Sequence, residues 1–289
     1  MAVKERLRAL AELVRAPAAL SVPGDVIAGA AAAGVPVRKA AGLAAASVLL
    51  YWAGMAANDW ADRELDATER PERPIPSGRI PASAALGVAA GLTAAGLGVA
   101  GRAGGARALA VAVPLTAAIW AYDLKLKNTA AGPAGMAACR ALDVLLGASS
   151  QAPVRALPAA ATVGLHTYTV TALSRHEVHG AVDRRLPAAT LAATAGVVGV
   201  ASAGAPEWLA RRVGPMLAAT YAAGYGARQI RLLGDSSPGA VRAAVGAGIT
   251  EFPTLQGALT ATAGRPVTGA VVALAAPLAR ILTRKVVAT

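Results

Sequence analysis

The chain has 289 residues, of which 55% are hydrophobic and only 15% charged, and its mean hydropathy is +0.51. Soluble domains carry about 25% charged residues, so this composition excludes an ordinary soluble fold and points to an integral membrane protein. The net charge of +12 sits in short loops between apolar runs, where membrane orientation accounts for it and no nucleic-acid partner is expected.

The first fifteen residues, "MAVKERLRALAELVR", contain Glu5 and Glu12 and lack the apolar core of a cleavable signal. Leu7, Leu10, Ala11 and Val14 share one helical face, which predicts an amphipathic helix on the membrane surface. Ten apolar runs follow, near 17–34, 38–57, 82–101, 106–122, 131–150, 154–173, 187–204, 208–227, 238–260 and 266–284. Each approaches the roughly 20 residues that cross a hydrocarbon core of about 30 Å. They are rich in Ala and Gly and lack strand-like alternation, so they read as helices that pack through small residues. The expected fold is therefore an all-α polytopic bundle, with the whole chain as one integral-membrane domain.

With the N-terminus inside, cytoplasmic loops hold 18 Lys and Arg residues against 8 outside. That bias places 58–81, 123–130 and 174–186 together on the cytoplasmic face of the cell's inner membrane. Trp52, Trp60, Trp120 and Trp208 fall near span ends, as interfacial anchors do. The lone Cys139 and three scattered histidines give no disulfide framework and no zinc set.

Ionisable groups inside spans are costly and face a partner or a cavity. Asp25 is a candidate for acceptor binding or a proton path. Arg140 and Asp143, three residues apart, are expected to pair. His166 and Tyr168 are expected in the core, and Glu251 has no evident role.

The most informative segment is "NDWADRELDATERPERPIPSGRI", Asn58 to Ile80. Asn58, Asp62 and Asp66 recur every four residues, so a helix continuing from the preceding span aligns them on one face, with Asp59 beside them. Like charges at that spacing repel, and a divalent cation removes the repulsion. All-oxygen ligands favour magnesium, which binds through one or two carboxylates together with substrate phosphates. Downstream, Arg70, Arg73 and Arg79 lie among prolines that stiffen the loop, and arginine suits bidentate phosphate binding.

This segment resembles the first signature of the UbiA family of intramembrane prenyltransferases, an Asn-Asp-x-x-Asp-x-x-x-Asp run followed by an Arg-Pro-x-Arg-Pro-x-Pro-Ser-Gly run. The resemblance implies that Asn58, Asp62 and Asp66 bind magnesium diphosphate, with Asp59 close by. "YDLKLKNTAAGP", from Tyr122, is similar to the family's Tyr-x-x-x-Leu-Lys loop and makes Lys125 and Lys127 candidate phosphate contacts. The family's second acid-rich run is altered here to "SRHEVHGAVDRRLP". Arg175 and Asp183 match it, but Gly180 stands where an aspartate is expected. Glu177 is then expected to compensate and Asp183 to join the magnesium ligands. His176 and His179 are candidates for binding diphosphate or relaying a proton.

The resemblance implies about nine spans, whereas the charge pattern favours an even number such as ten. It implies transfer of a prenyl group from a polyprenyl diphosphate, with Mg2+, to an acceptor the sequence does not name. The alternative is a membrane transporter or a non-catalytic membrane protein. A transporter is expected to show internal repeats and broken midplane helices, and a non-catalytic protein leaves the Asn-Asp row unexplained.

Overall fold

The computed structural model describes residues 3–16, 21–181, 183–203 and 207–278. Among them the fold is all-α. The N-terminal half consists of α1 (Val3–Leu13), α2 (Val22–Ala32), α3 (Val37–Ala61), α4 (Arg63–Glu69), α5 (Ala82–Ala121), α6 (Gly132–Ala148) and α7 (Leu157–Ser174). α8 (Arg185–Ser202), α9 (Ala210–Tyr221), α10 (Ala227–Leu232), α11 (Pro238–Thr262) and α12 (Pro266–Ala273) complete it. The ten expected runs all fall mainly on helix within the described residues; 17–20, 204 and 279–284 lie outside them.

The runs at 82–101 and 106–122 are two limbs of α5, which turns back at Gly105 (φ 67°, ψ −157°). Only glycine adopts that backbone readily. The limbs run antiparallel, as Trp120 Nε1 donating to Thr93 Oγ1 at 3.2 Å requires. This hairpin packs most extensively against α3, with Leu50 on Gly96 and Ala103 on Gly42.

Small residues bring the other helices close. α2 and α6 meet through a reciprocal pair, in which Gly29 lies against the Val144 carbonyl and Gly147 against the Val26 carbonyl. Gly257 and Gly269 join α11 to α12 in the same way.

Among the described residues three helices are long and apolar enough to cross a membrane by length and composition: Val37–Ala61, Ala82–Leu126 and Arg185–Ser202. α6, α7 and α11 are not among them. α6, at 17 residues, is shorter than these three, and α7 and α11 carry the inward-facing polar groups His166, Glu251 and Gln256, which lower their hydropathy. The architecture is that of an integral membrane protein whose polar groups are turned inward.

One end of the bundle gathers α1, the 58–80 segment and the loops at 122–131, 175–181 and 235–238. Contacts such as Arg15 to Asp59, Lys127 to Asp62 and Ala181 N to Ser236 O hold them together. The opposite end carries Gly105, the 149–156 turn and the 263–266 turn, where Arg265 donates to Val35 O at 3.0 Å. α1 is seated differently from the sequence expectation. It buries Ala9 and Leu13 against Ala56, Ala57, Ile80 and Ala85, while Leu7 is 61% exposed. The buried stripe is shifted because the chain itself, and not only a lipid surface, covers this helix.

The reciprocal glycines generate a stability prediction. A Cβ at Gly147 meets the Val26 backbone, so Gly147→Ala is expected to cost about 1–3 kcal/mol through overpacking. Gly199→Ala on α8, where a Cβ meets nothing, is expected to be neutral or stabilising by up to about 1 kcal/mol. Thermal unfolding midpoints in one detergent compare the two.

Candidate active site

The helix carrying Asn58 breaks at Asp62 (φ −88°, ψ 2°), so α3 stops at Ala61 and α4 resumes at Arg63. An uninterrupted helix was expected. The row survives because backbone bonds of helical spacing bridge the break. Asp62 N donates to Asn58 O at 2.9 Å, Asp66 N to Asp62 O at 2.8 Å and Arg70 N to Asp66 O at 2.8 Å. Asn58, Asp62 and Asp66 therefore stand one turn apart.

Each carboxylate has a cation beside it. Arg73 Nη1 lies between Asp66 Oδ2 at 2.6 Å and Asp59 Oδ1 at 3.3 Å. Arg15 reaches Asp59 at 3.0 Å, and Arg70 lies 3.9 Å from Asp66. Lys127 Nζ donates to Asp62 Oδ1 at 2.6 Å. Asn58 Nδ2 donates to Asp123 Oδ1 at 3.3 Å. Arg79 is directed elsewhere, to Glu12 at 2.5 Å and to the Glu72 carbonyl at 2.7 Å. Lys125 is exposed.

The second signature is not assembled as expected. Among the described residues no three His, Cys, Asp or Glu side chains converge as a metal site, so the set Asn58, Asp62, Asp66 and Asp183 does not come together. Asp183 is exposed, and its Oδ1 accepts from Arg185 N at 2.9 Å at the start of α8. Gly180 explains the missing acid physically. It adopts φ 77° against the Ser236 carbonyl, while Ala181 N donates to that carbonyl at 3.0 Å. An aspartate there is strained and has no room for its Cβ.

Glu177 lies in this loop, and its carbonyl accepts from Arg242 at 2.8 Å. Partial burial raises its carboxyl above the usual range, against the pull of Arg242. Arg175 donates through Nη1 to the Thr129 carbonyl and ties this loop to the one bearing Lys127. His176 is half-buried and His179 exposed.

Beneath the row lies a cavity of about 420 Å³. Asp123, Tyr122 and Ser174 line the end near the row, and Leu50, Leu115, Ile119, Val170 and Ile249 form apolar walls. Ser47, Arg140, Asp143, His166 and Phe252 line the deeper part. Arg140 does not pair with Asp143 as expected. Its Nε contacts Asp25 Oδ2 at 2.8 Å, and its guanidinium stacks 4.7 Å from the Phe252 ring. Asp25, wholly buried, also accepts from Gln256 Nε2 at 2.6 Å and does not line the cavity. The contacts it makes hold Arg140 in place. His166 is both core and cavity wall, with Nδ1 2.7 Å from Tyr221 Oη, whereas Tyr168 is 46% exposed.

A charged row over a largely apolar intramembrane cavity is the arrangement to compare with known proteins. The model of the UbiA prenyltransferase family matches residues 19–201. The chain belongs to the UbiA prenyltransferase family.

It is 36% identical over 128 residues to a digeranylgeranylglyceryl phosphate synthase of Methanopyrus kandleri, covering 43% of this chain and 45% of that one. It is 43% identical over 70 residues to the bacteriochlorophyll synthase 33 kDa chain of Rhodobacter capsulatus, covering 24% and 23%. The chain thus spans less than half the length of the curated relatives it matches. A solved structure of a digeranylgeranylglyceryl phosphate synthase shares the fold, with a TM-score of 0.69 at 18% identity over 90% of this chain and 99% of that chain.

Magnesium dependence is general among UbiA prenyltransferases, and the first signature suits it. Asp59 and Asp66 already bracket one cationic nitrogen, that of Arg73. Magnesium needs no more than one or two carboxylates when phosphate and water complete its shell. The sequence reading passed over Asp123, which is buried and joined to Asn58. Its signal was its position four residues before Lys127, within the π-helical turn Tyr122–Leu126, a local irregularity common at functional sites.

The Asp25–Arg140 pair gives a second prediction. Asp25→Ala leaves a guanidinium uncompensated inside the bundle and is expected to cost about 3–5 kcal/mol. The double replacement Asp25→Leu with Arg140→Met is expected to regain most of that loss. Unfolding midpoints of the single and double variants measure both effects.

Proposed function

We propose that the protein is a membrane prenyltransferase that moves a prenyl group from a polyprenyl diphosphate to an acceptor within the cavity, with the whole chain as one catalytic domain. The observation that carries this reading is the Asn58–Asp62–Asp66 row, interleaved with Arg73 and Lys127, over an apolar cavity. The names of the matched relatives, synthases of digeranylgeranylglyceryl phosphate and bacteriochlorophyll, support it.

Asp62 and Asp66 with Asn58 would hold magnesium, with Asp59 close by and phosphate and water completing the shell, and the ion would supply positive charge to the leaving diphosphate. Arg70, Arg73 and Lys127 leave their carboxylate partners and donate to diphosphate oxygens, where charge grows as the allylic C–O bond breaks. Arg175 reaches the same mouth through the 126–132 loop and is assigned to the donor. Leu50, Leu115, Ile119, Val170 and Ile249 exclude water that would otherwise capture the allylic cation. We place the mouth and the N-terminus on the cytoplasmic side of the cell membrane, following the distribution of basic residues.

A diphosphate analogue is expected to bind purified protein in magnesium and to lose most of its affinity in EDTA; unchanged affinity in EDTA overturns the reading. Asp62→Asn is expected to lower turnover by about 10²-fold or more. Asp183→Asn keeps the oxygen that accepts from Arg185 N and is expected to change turnover by no more than a few-fold with little change in stability, because asparagine caps a helix start about as well as aspartate. Arg175→Ala is expected to raise the donor KM.

Orientation has its own test. Cysteines introduced as Ser77→Cys and Ala181→Cys in a Cys139→Ala background should resist an impermeant thiol reagent in intact cells and react in inverted vesicles. Labelling of both from outside reverses the topology.

A further inference from the structure

The deep part of the cavity is not built for a hydrocarbon chain. It presents Arg140, Asp143, His166 and Ser47 together, and burying such groups against a prenyl tail carries a large desolvation cost. Asp143 is 5% exposed, and its Oδ2 accepts from Ser47 Oγ at 2.7 Å. Its Oδ1 is buried with no hydrogen-bond partner in the protein, although a buried carboxylate oxygen without a donor is costly. Asp143 lines the cavity, so a rotation of its carboxyl group is enough to present this oxygen to a donor on the occupant.

The charge balance narrows what that occupant is. Asp25 already compensates Arg140 at 2.8 Å, and Gln256 fixes Asp25 from behind. The guanidinium is therefore not a spare cation for a carboxylate or phosphate. An anionic group entering here meets Asp143, with Asp123 further along the same cavity. Like charges in a poorly solvated site repel strongly. Ser47, Tyr51, Tyr122, Thr167, Thr171 and Ser174 line the same cavity and offer hydroxyls that donate and accept. The lining matches a neutral molecule with several hydroxyl groups.

Position separates this subsite from the bond-breaking end. Ser47 precedes Asn58 by eleven residues on the α3 helix, about 16 Å at 1.5 Å per residue. A group bound at Asp143 is then the acceptor's far end, and Asp143 is a positioning residue.

We propose that the deep end of the cavity is an acceptor subsite in which Asp143, oriented by Ser47 and flanked by Arg140, selects a neutral hydroxyl-bearing acceptor over an anionic one. This rests on the prenyltransferase reading above and adds the acceptor's chemical class to it.

The test uses full-length protein in lipid nanodiscs and matched pairs long enough to reach from Asp143 to the bond-breaking end: 1,10-decanediol against 10-hydroxydecanoate, and 1,12-dodecanediol against 12-hydroxydodecanoate. Cys139, the chain's only thiol, lies in the cavity wall one turn from Asp143. Its reaction with N-ethylmaleimide reports occupancy without requiring turnover. At least one neutral member is expected to slow labelling more than its anionic counterpart, and Asp143→Leu is expected to weaken that protection by about 10-fold or more.

With the protected compound as acceptor, mass spectrometry is expected to show a prenylated product. Asp143→Leu should raise the acceptor KM more than the donor KM, and Asp143→Asn, which keeps an accepting oxygen, should recover part of the loss. Ser47→Ala, which keeps the carboxylate, should give a smaller shift in the same direction. Protection by anionic members only, or equal protection in wild type and Asp143→Leu, overturns the subsite. EDTA-sensitive diphosphate release is measured on the same preparation. Its absence overturns the prenyltransferase reading, while the labelling result still decides whether Asp143 binds hydroxyl compounds.

Discussion

A guanidinium in the interior of an apolar bundle requires a counter-charge, and the Asp25–Arg140 pair meets that requirement while joining three helices. Asp25 comes from α2, Arg140 from α6 and Gln256, which donates to Asp25, from α11. Glycines at the α2–α6 contact let the backbones approach closely, and the pair then fixes how the facing side chains sit. The cavity wall follows from this. Arg140 stacks on Phe252, Phe252 stacks on His166 at 4.8 Å between ring centroids, and His166 meets Tyr221. A chain of polar and aromatic contacts thus runs from a buried ion pair to the helices of the C-terminal half. A buried pair of this kind contributes little net stability; its value here is the orientation it imposes.

At the mouth of the cavity the protein meets the same electrostatic demand with partners drawn from loops and helix ends. Asp59, Asp62 and Asp66 are matched by Arg15, Arg73, Arg70 and Lys127, all on segments outside the helical bundle or at its edge. On the proposed reading donor binding would exchange counter-ions: the carboxylates would hold a metal in place of the guanidinium and ammonium groups, and those cations would donate to phosphate. The interior pair and the mouth pairs therefore differ in setting, one enclosed between helices and the others at the edge of the bundle.

Much of this was legible in the sequence because it depends on spacing. The row at Asn58, Asp62 and Asp66 follows from a four-residue repeat, and the helical runs follow from composition. What was not legible depends on contacts between distant segments. Arg140 lies three residues from Asp143 in the chain, but a residue from another helix claims it. Asp183 matches a family position by number and spends its carboxylate on a helix start. Gly180 shows the same limit, because the backbone of the 235–238 turn, not the local sequence, leaves no place for an acid there. Asp123 escaped because its neighbours Lys125 and Lys127 are of the type expected to contact phosphate, and only the packing of α5 against α3 brings it to Asn58.

The hairpin turn at Gly105 has a consequence for how the protein is made. Forty residues of continuous α-helix extend about 60 Å, twice the thickness of a bilayer's hydrocarbon core. As this polypeptide leaves the ribosome, one left-handed residue lets it fold back into a pair of crossings. The whole turn lies between Arg102 and Arg107, with no separate polar loop. Were the hairpin to open into a single rod, Lys127 and Asp123 would emerge across the bilayer from Asp62 and Asn58. The sidedness of half the chemical machinery, and the distinction between a working insertion product and a misrouted one, thus depends on the backbone freedom of one residue without a side chain.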